Sequence, residues 1–108
     1  MVYNTHAAQI EWSAESILDI LRQNRDTLKN MGVNKIGLFG SYVRGEQHPG
    51  SDIDLLFSMD NLTFMRWMDV WNFLEDHLGC SVDLVPEHDL RVELRASVLH
   101  EVRYAEIL

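Results

Sequence analysis

The stretch Ser51-Asp52-Ile53-Asp54-Leu55-Leu56-Phe57 has the composition of a buried strand, yet it carries two carboxylates in alternate positions. Residues two apart on a strand point to the same side of the sheet, so Asp52 and Asp54 face one spot. Two like charges held close together disfavour joint ionisation unless a cation compensates, and clusters of carboxylate oxygens suit Mg²⁺ or Mn²⁺. The stretch therefore predicts a metal site on a strand; an exposed strand end beside a turn is the alternative.

A second unusual feature precedes the carboxylates, where the apolar run from Ile36 to Phe39 stops abruptly at Gly40-Ser41. Glycine permits a sharp turn and a close backbone approach, and serine adds a hydroxyl and an N–H at a helix start. Backbone N–H groups at a helix N-terminus bind anions, and Arg44, one turn further on, would add a cationic fork. We call Gly40, Ser41 and Arg44 the phosphate corner; an ordinary turn is the alternative for Gly-Ser alone.

Asp83 is a third carboxylate in an unexpected place, because it interrupts the otherwise apolar strand from Val82 to Val85. If this strand lies beside the strand of Asp52 and Asp54, all three carboxylates converge on one pocket. One alternative is that Asp83 faces solvent on a short edge strand. Asp60 and Asp89 are rival candidates for the third carboxylate, although both are typical of turn or cap residues.

The spacing of these residues resembles the nucleotidyltransferase signature, because ten residues separate Gly40-Ser41 from Asp52-Ile53-Asp54. The sequence around both motifs resembles that of the minimal nucleotidyltransferases, the MNT family. Several MNT proteins are antitoxins. The resemblance implies an α/β (α+β) nucleotidyltransferase fold, a small mixed β-sheet with helices packed on it. It also implies that Asp52 and Asp54 hold two Mg²⁺ ions while Asp83 acts as base or shares a metal, with the phosphate corner binding the nucleotide.

The same resemblance implies the substrate and the partner. The resemblance implies that ATP is the donor and that AMP passes to the hydroxyl of a tyrosine in a cognate HEPN ribonuclease toxin. It also implies that the toxin forms a hetero-oligomer with this chain and is silenced by the transfer. Two alternatives stay open: an antitoxin that acts by stoichiometric binding with a vestigial site, and nucleotidylation of a small molecule, whose known enzymes carry an extra domain.

Composition limits what such a site can serve. The chain has 108 residues, which fits one domain over residues 1–108 and leaves no room for a separate acceptor-binding domain. Its 17 acidic and 9 basic residues give a net charge of −8, so nucleic acid is not expected as a substrate, although Arg91, Arg95 and Arg103 could form a small basic strip. The first residues show neither a signal peptide nor a membrane span, so we expect a cytoplasmic protein without membrane contact.

Hydrophobic periodicity and turn residues divide the chain into alternating helices and strands. We predict a helix over about residues 16–31, a strand over 33–39, a helical turn over 42–45, a strand over 52–57, a helix over 62–78, a strand over 82–85 and a helix over about 90–102. The face of the long helix that should pack on the core carries Phe64, Trp67, Met68, Trp71, Leu74 and Leu78.

Three apolar residues, Leu62, Met65 and Phe73, fall outside this face. We interpret them as a surface for the partner protein. The alternative is that they line the sheet edge or are singly exposed.

Overall fold

A computed structural model describes residues 12–106. Its helices and strands follow one another in the order α1 (Ala14–Gln23), α2 (Arg25–Asn30), β1 (Val33–Phe39), α3 (Ser41–Arg44), β2 (Ile53–Met59), α4 (Phe64–Leu78), β3 (Val82–Pro86), a 3₁₀ turn (Glu87–Asp89), α5 (Val92–Glu101) and β4 (Arg103–Ala105). The predicted α/β (α+β) class is confirmed.

The four strands form one mixed sheet in the order β3-β2-β1-β4. Strand β1 is antiparallel to both β2 and β4, whereas β2 and β3 are parallel. A parallel pair needs a crossover connection, and α4 supplies it. Strand β3 is therefore an edge strand beside β2, which carries Asp54 and directly follows Asp52.

The two faces of the sheet are covered very differently. Alternate residues of β2, Ile53, Leu55 and Phe57, join the main core with apolar residues of α1, α2 and α4. Leu56 points the other way, into a small cluster with Leu90 and Val98 that α5 helps to form. Since Asp54 shares this second face with Leu56, its carboxylate lies where the sheet is only partly covered.

The first predicted helix is in fact two helices that meet at Asn24. The backbone of Asn24 departs from helical geometry, at φ −105° and ψ 16°, and the side-chain amide of Asn24 donates to the carbonyl of Ile20 at 2.8 Å. Asparagine competes with the helix for backbone partners in this way. Strand β4 was not predicted because it has three residues and only Ala105 is buried.

The long helix packs differently from the prediction at its first turn. Phe64, predicted to lie in the core, is 68% exposed, because the buried positions of α4 begin only at Val70. Leu62 and Phe73, predicted as partner surface, pack against the main core instead. Helix α1, which contacts both the sheet and α4, adds apolar surface that the sequence argument did not include. Met65 is 68% exposed, as the partner-surface interpretation requires.

Within residues 12–106, no helix has both the length and the apolar character needed to cross a membrane. The prediction that no signal peptide is present concerns mainly residues 1–11, which lie outside the described residues.

Candidate active site

The sheet register brings two of the predicted site residues side by side. Asp54 of β2 pairs with Asp83 of β3 in the parallel ladder, and partners in register project to the same face. Asp52 lies one residue before β2, where the N–H of Ile53 donates to the carbonyl of Ser81 at 3.0 Å, and its charge acts on Asp54. The structure therefore places Asp54 and Asp83 on one face of the sheet with Asp52 beside them, Asp54 being half-buried and the other two exposed.

The electrostatics of Asp54 show how crowded this face is with negative charge. Burial, the largest cause, and the charges of Asp83 and Asp52 together raise the pKa of Asp54 to about 6. Glu101 acts in the same direction, whereas Arg44 opposes it. An aspartate with such a pKa sits in a site that favours a bound cation.

Gly40 lies directly against Asp54. A Cβ atom at this position would meet the Oδ2 atom of Asp54 at 2.2 Å, far inside van der Waals contact. The backbone of Gly40, at φ 84° and ψ −154°, is also in a region that is essentially restricted to glycine. Both constraints require glycine here, and they place the start of α3 beside the carboxylates.

Ser41 and Arg44 form the rest of the phosphate corner as the first and last residues of α3. The N–H groups of a helix's first turn have no acceptor inside the helix, which leaves those of Ser41 and Tyr42 without an intrahelical partner. Arg44 is held by two carboxylates: its Nε donates to Glu46 at 2.9 Å and its Nη1 to Glu101 at 2.9 and 3.1 Å.

Glu101 is a residue of this site that the sequence argument missed. Its Oε2 atom accepts the backbone N–H of Gly40 at 2.8 Å, in addition to the bond from Arg44. One signal was available: a carboxylate in the last turn of a helix is disfavoured by the helix dipole, and local rules are broken most often at functional sites.

The donor set of the three aspartates suits Mg²⁺, because it consists of carboxylate oxygens only. In the part of the chain from residue 12 to residue 106, no group of three or more His, Cys, Asp or Glu side chains is arranged as a metal-binding cluster. Mg²⁺ usually takes one or two carboxylates and completes its shell with water and substrate phosphates. Asp52 and Asp54 fit that pattern; a third ligand from Asp83 stays a prediction.

Two of the three arginines of the basic strip predicted from the sequence are paired with carboxylates. Arg91 pairs with Glu93 at 3.0 Å, and Arg103 forms an ion pair with Glu15. Arg95 donates to the backbone carbonyl of Glu87 at 3.3 Å. Arg91 and Arg103 are therefore offset by negative charge, whereas the bond of Arg95 to a neutral carbonyl oxygen leaves its positive charge in place.

Comparisons with known proteins agree with this geometry. The model of the nucleotidyltransferase domain family matches residues 15–105. The protein adenylyltransferase MntA of Thermococcus cleftensis is 38% identical over 92 residues, which cover 83% of this chain and 93% of that protein.

Two solved structures share the fold. A minimal nucleotidyltransferase is 34% identical with a TM-score of 0.66, over 80% of this chain and 93% of that one. A chain from a toxin-antitoxin structure with AMP-PNP is 27% identical with a TM-score of 0.63, over 88% of this chain and 73% of that one. Together with the register of the carboxylates and the glycine-serine corner, these matches show that the chain belongs to the nucleotidyltransferase domain family and, within it, to the minimal nucleotidyltransferases.

Proposed function

We propose that this chain is a Mg²⁺-dependent antitoxin that transfers AMP from ATP to a tyrosine hydroxyl of a cognate HEPN ribonuclease toxin and thereby neutralises it. The observation that carries the proposal is the pairing of Asp54 with Asp83, with Asp52 beside them and Gly40 packed against Asp54. The similarity to a protein adenylyltransferase and to a chain from a toxin-antitoxin structure with AMP-PNP supports AMP as the transferred group and a toxin as the acceptor.

Each carboxylate has a role that follows from its place. Asp52 and Asp54 would hold the Mg²⁺ ions, which when bound neutralise charge on the attacking and leaving oxygens of the phosphoryl group. Asp83 lies on the edge strand β3 and is exposed, so a protein acceptor can reach it from outside the sheet. We assign Asp83 as the base that takes the proton from the tyrosine hydroxyl.

The reaction is a single displacement. The tyrosine oxygen forms a bond to the α-phosphorus as the bond from that phosphorus to the bridging oxygen of the β-phosphate breaks. The tyrosine proton goes to Asp83, and pyrophosphate leaves. The phosphate corner would hold the β- and γ-phosphates in line with the attack, so its contribution is positioning rather than covalent chemistry.

The first turn of α4 is a candidate contact with the toxin. Phe64 and Met65 are adjacent and each is 68% exposed, whereas the neighbouring Leu62 packs on the core. Large apolar side chains exposed next to each other are typical of a protein-binding surface. The proposal makes the chain one subunit of a cytoplasmic hetero-oligomer in which the toxin brings its own acceptor, so no acceptor-binding domain is needed here.

The test is incubation of the purified chain with its HEPN partner, ATP and Mg²⁺, followed by intact mass measurement and peptide mapping of the partner. We expect the mass of the partner to rise by one or more AMP groups located on tyrosine. The double variant Asp52→Ala/Asp54→Ala should abolish the increase, while the control Asp69→Ala/Asp76→Ala, which removes the same charge from the exposed face of α4, should retain it.

Each of the two alternatives predicts a different result. If the Asp52→Ala/Asp54→Ala variant protects cells from the toxin as well as the wild type at equal expression, the chain acts by stoichiometric binding. If the partner gains no mass while a hydroxyl-bearing small molecule added to the reaction gains AMP, the acceptor is a small molecule.

A further inference from the structure

Glu101 occupies the phosphate corner from the far end of the chain. Its carboxylate accepts the N–H of Gly40 at 2.8 Å and binds Arg44 through both oxygens, at 2.9 and 3.1 Å. Only 19% of the Glu101 side chain is exposed, whereas 47% of the Arg44 side chain is exposed, so the carboxylate is the enclosed partner of the pair. A carboxylate thus already fills the position in which the proposed function needs phosphate oxygens.

A triphosphate and the Glu101 carboxylate would need the same donors. The N–H of Gly40 and the guanidinium of Arg44 are two of the groups of the phosphate corner, and both are engaged by Glu101. The carboxylate also adds to the negative charge around Asp54. A polyanion that enters this space meets both an occupied donor set and a repelling charge.

We propose that Glu101 is an internal substitute for phosphate, which holds the phosphate corner in the nucleotide-free chain and withdraws when ATP binds. This inference rests on the proposed function. Glu101 would then set the affinity for ATP, because every binding event must break its bonds to Gly40 and Arg44.

The surroundings of Glu101 allow such a withdrawal without unfolding. Glu101 is the last residue of α5, and the chain continues as extended backbone into β4, which is anchored to β1. The proposed withdrawal is a rotation of the Glu101 side chain with α5 and β4 left in place. Arg44 would keep its exposed bond to its second partner, Glu46, at 2.9 Å.

Glu46 provides a matched control, because it binds the same guanidinium as Glu101 with no bond to Gly40. The experiment measures the dissociation constant for Mg·ATP by calorimetry in the wild type and in the variants Glu101→Gln, Glu101→Asp and Glu46→Gln. Glutamine keeps the shape and removes the charge, whereas aspartate keeps the charge and is one methylene shorter, too short to hold both donors.

We expect Glu101→Gln and Glu101→Asp each to bind Mg·ATP about tenfold more tightly, which is the size expected for the loss of one competing charge-assisted hydrogen bond. Glu46→Gln should change the dissociation constant by less than about twofold, since an exposed ion pair contributes little. In ¹⁵N spectra, the Gly40 amide resonance should move on ATP addition in the wild type, and in Glu101→Gln it should already be displaced without ATP. Thermal melts of each variant check that α5 remains folded.

Three results would contradict the inference. If the wild type binds Mg·ATP and Glu101→Gln binds it equally or more weakly, Glu101 only positions Arg44, and the proposed function still stands. If Glu46→Gln gains as much affinity as Glu101→Gln, net charge alone explains the effect. If neither the wild type nor any variant binds Mg·ATP, the proposed function fails and the role of Glu101 fails with it.

Discussion

Replacing Asp54 by asparagine should stabilise the nucleotide-free and metal-free protein. The folded chain raises the pKa of this carboxyl from its ordinary value of 3.8 to about 6, through burial and the neighbouring charges of Asp83 and Asp52. The charged form is therefore disfavoured by folding, and the penalty is present at neutral pH. An asparagine side chain at this position would keep the shape of the aspartate without carrying its charge.

The size and the pH dependence of the effect follow from the same pKa. The difference between 3.8 and about 6 corresponds to about 3 kcal/mol, and solvent screening of the half-buried side chain reduces this to about 1 to 2 kcal/mol. In the window between the two values the folded state binds more protons than the unfolded state, so stability falls as pH rises. Asp54→Asn should thus gain about 1 to 2 kcal/mol at about pH 7.5 and almost nothing at about pH 4.

Urea denaturation with a chelator present, at both pH values, measures this gain. The control is Asp69→Asn, which removes one negative charge from an exposed position of α4. If Asp54→Asn is no more stable than Asp69→Asn at about pH 7.5, or if its advantage persists unchanged at about pH 4, the electrostatic account of the site is wrong. Mg²⁺ should in addition stabilise the wild type and leave Asp54→Asn nearly unaffected.

Three further predictions concern the supports of the site. Gly40→Ala should destabilise the protein by at least about 1 kcal/mol more than Gly45→Ala, as measured by urea denaturation. Both glycines have positive φ, but of the two only Gly40 has a side chain where the added Cβ would lie. Equal losses of stability would contradict the predicted clash. Arg66→Met should lower the free energy of unfolding by about 2 kcal/mol relative to Arg25→Met. The reason is that the Arg66 guanidinium donates to three backbone carbonyls, at 2.9, 3.0 and 3.2 Å, in the loops that flank β1 and β2. Equal melting temperatures of the two variants would exclude this role. Asp83→Asn should lower the rate of AMP transfer by about 10² to 10⁴ while Mg·ATP binding, measured by calorimetry, stays within about threefold; a parallel loss of binding would make Asp83 a metal ligand instead.

The candidate site could be predicted largely from sequence because its residues break local rules. Two carboxylates in an apolar strand and a third in another strand conflict with packing, and glycine-serine at the end of an apolar run conflicts with strand continuation. Strand alternation then predicts that Asp52 and Asp54 face the same way. What alternation cannot supply is which strands are neighbours and in which register, so the pairing of Asp54 with Asp83 required the structure.

Glu101 and the packing of α4 show the limit of such reasoning. The contact from Glu101 to Gly40 joins residues 61 apart in the chain, and no periodic pattern encodes a contact of that kind. The periodicity of α4 identifies an apolar face but not where the covering surface ends, so it predicted Phe64 as buried although it is exposed. Asn24 interrupts a helix through a bond of its own side chain, and hydrophobic periodicity does not detect such a break.

The unequal covering of the two sheet faces explains how so small a chain tolerates an acidic site. The face formed by Ile53, Leu55 and Phe57 is fully buried and supplies most of the apolar stabilisation. The opposite face is covered by α5 only in part, which leaves Asp52 and Asp83 in water and lowers the cost of their repulsion. Because β3 is also an edge strand, the same opening gives a macromolecular acceptor access to Asp83. Exposure of the site therefore serves both requirements, since it limits charge repulsion within the chain and admits a partner that brings the hydroxyl to be modified.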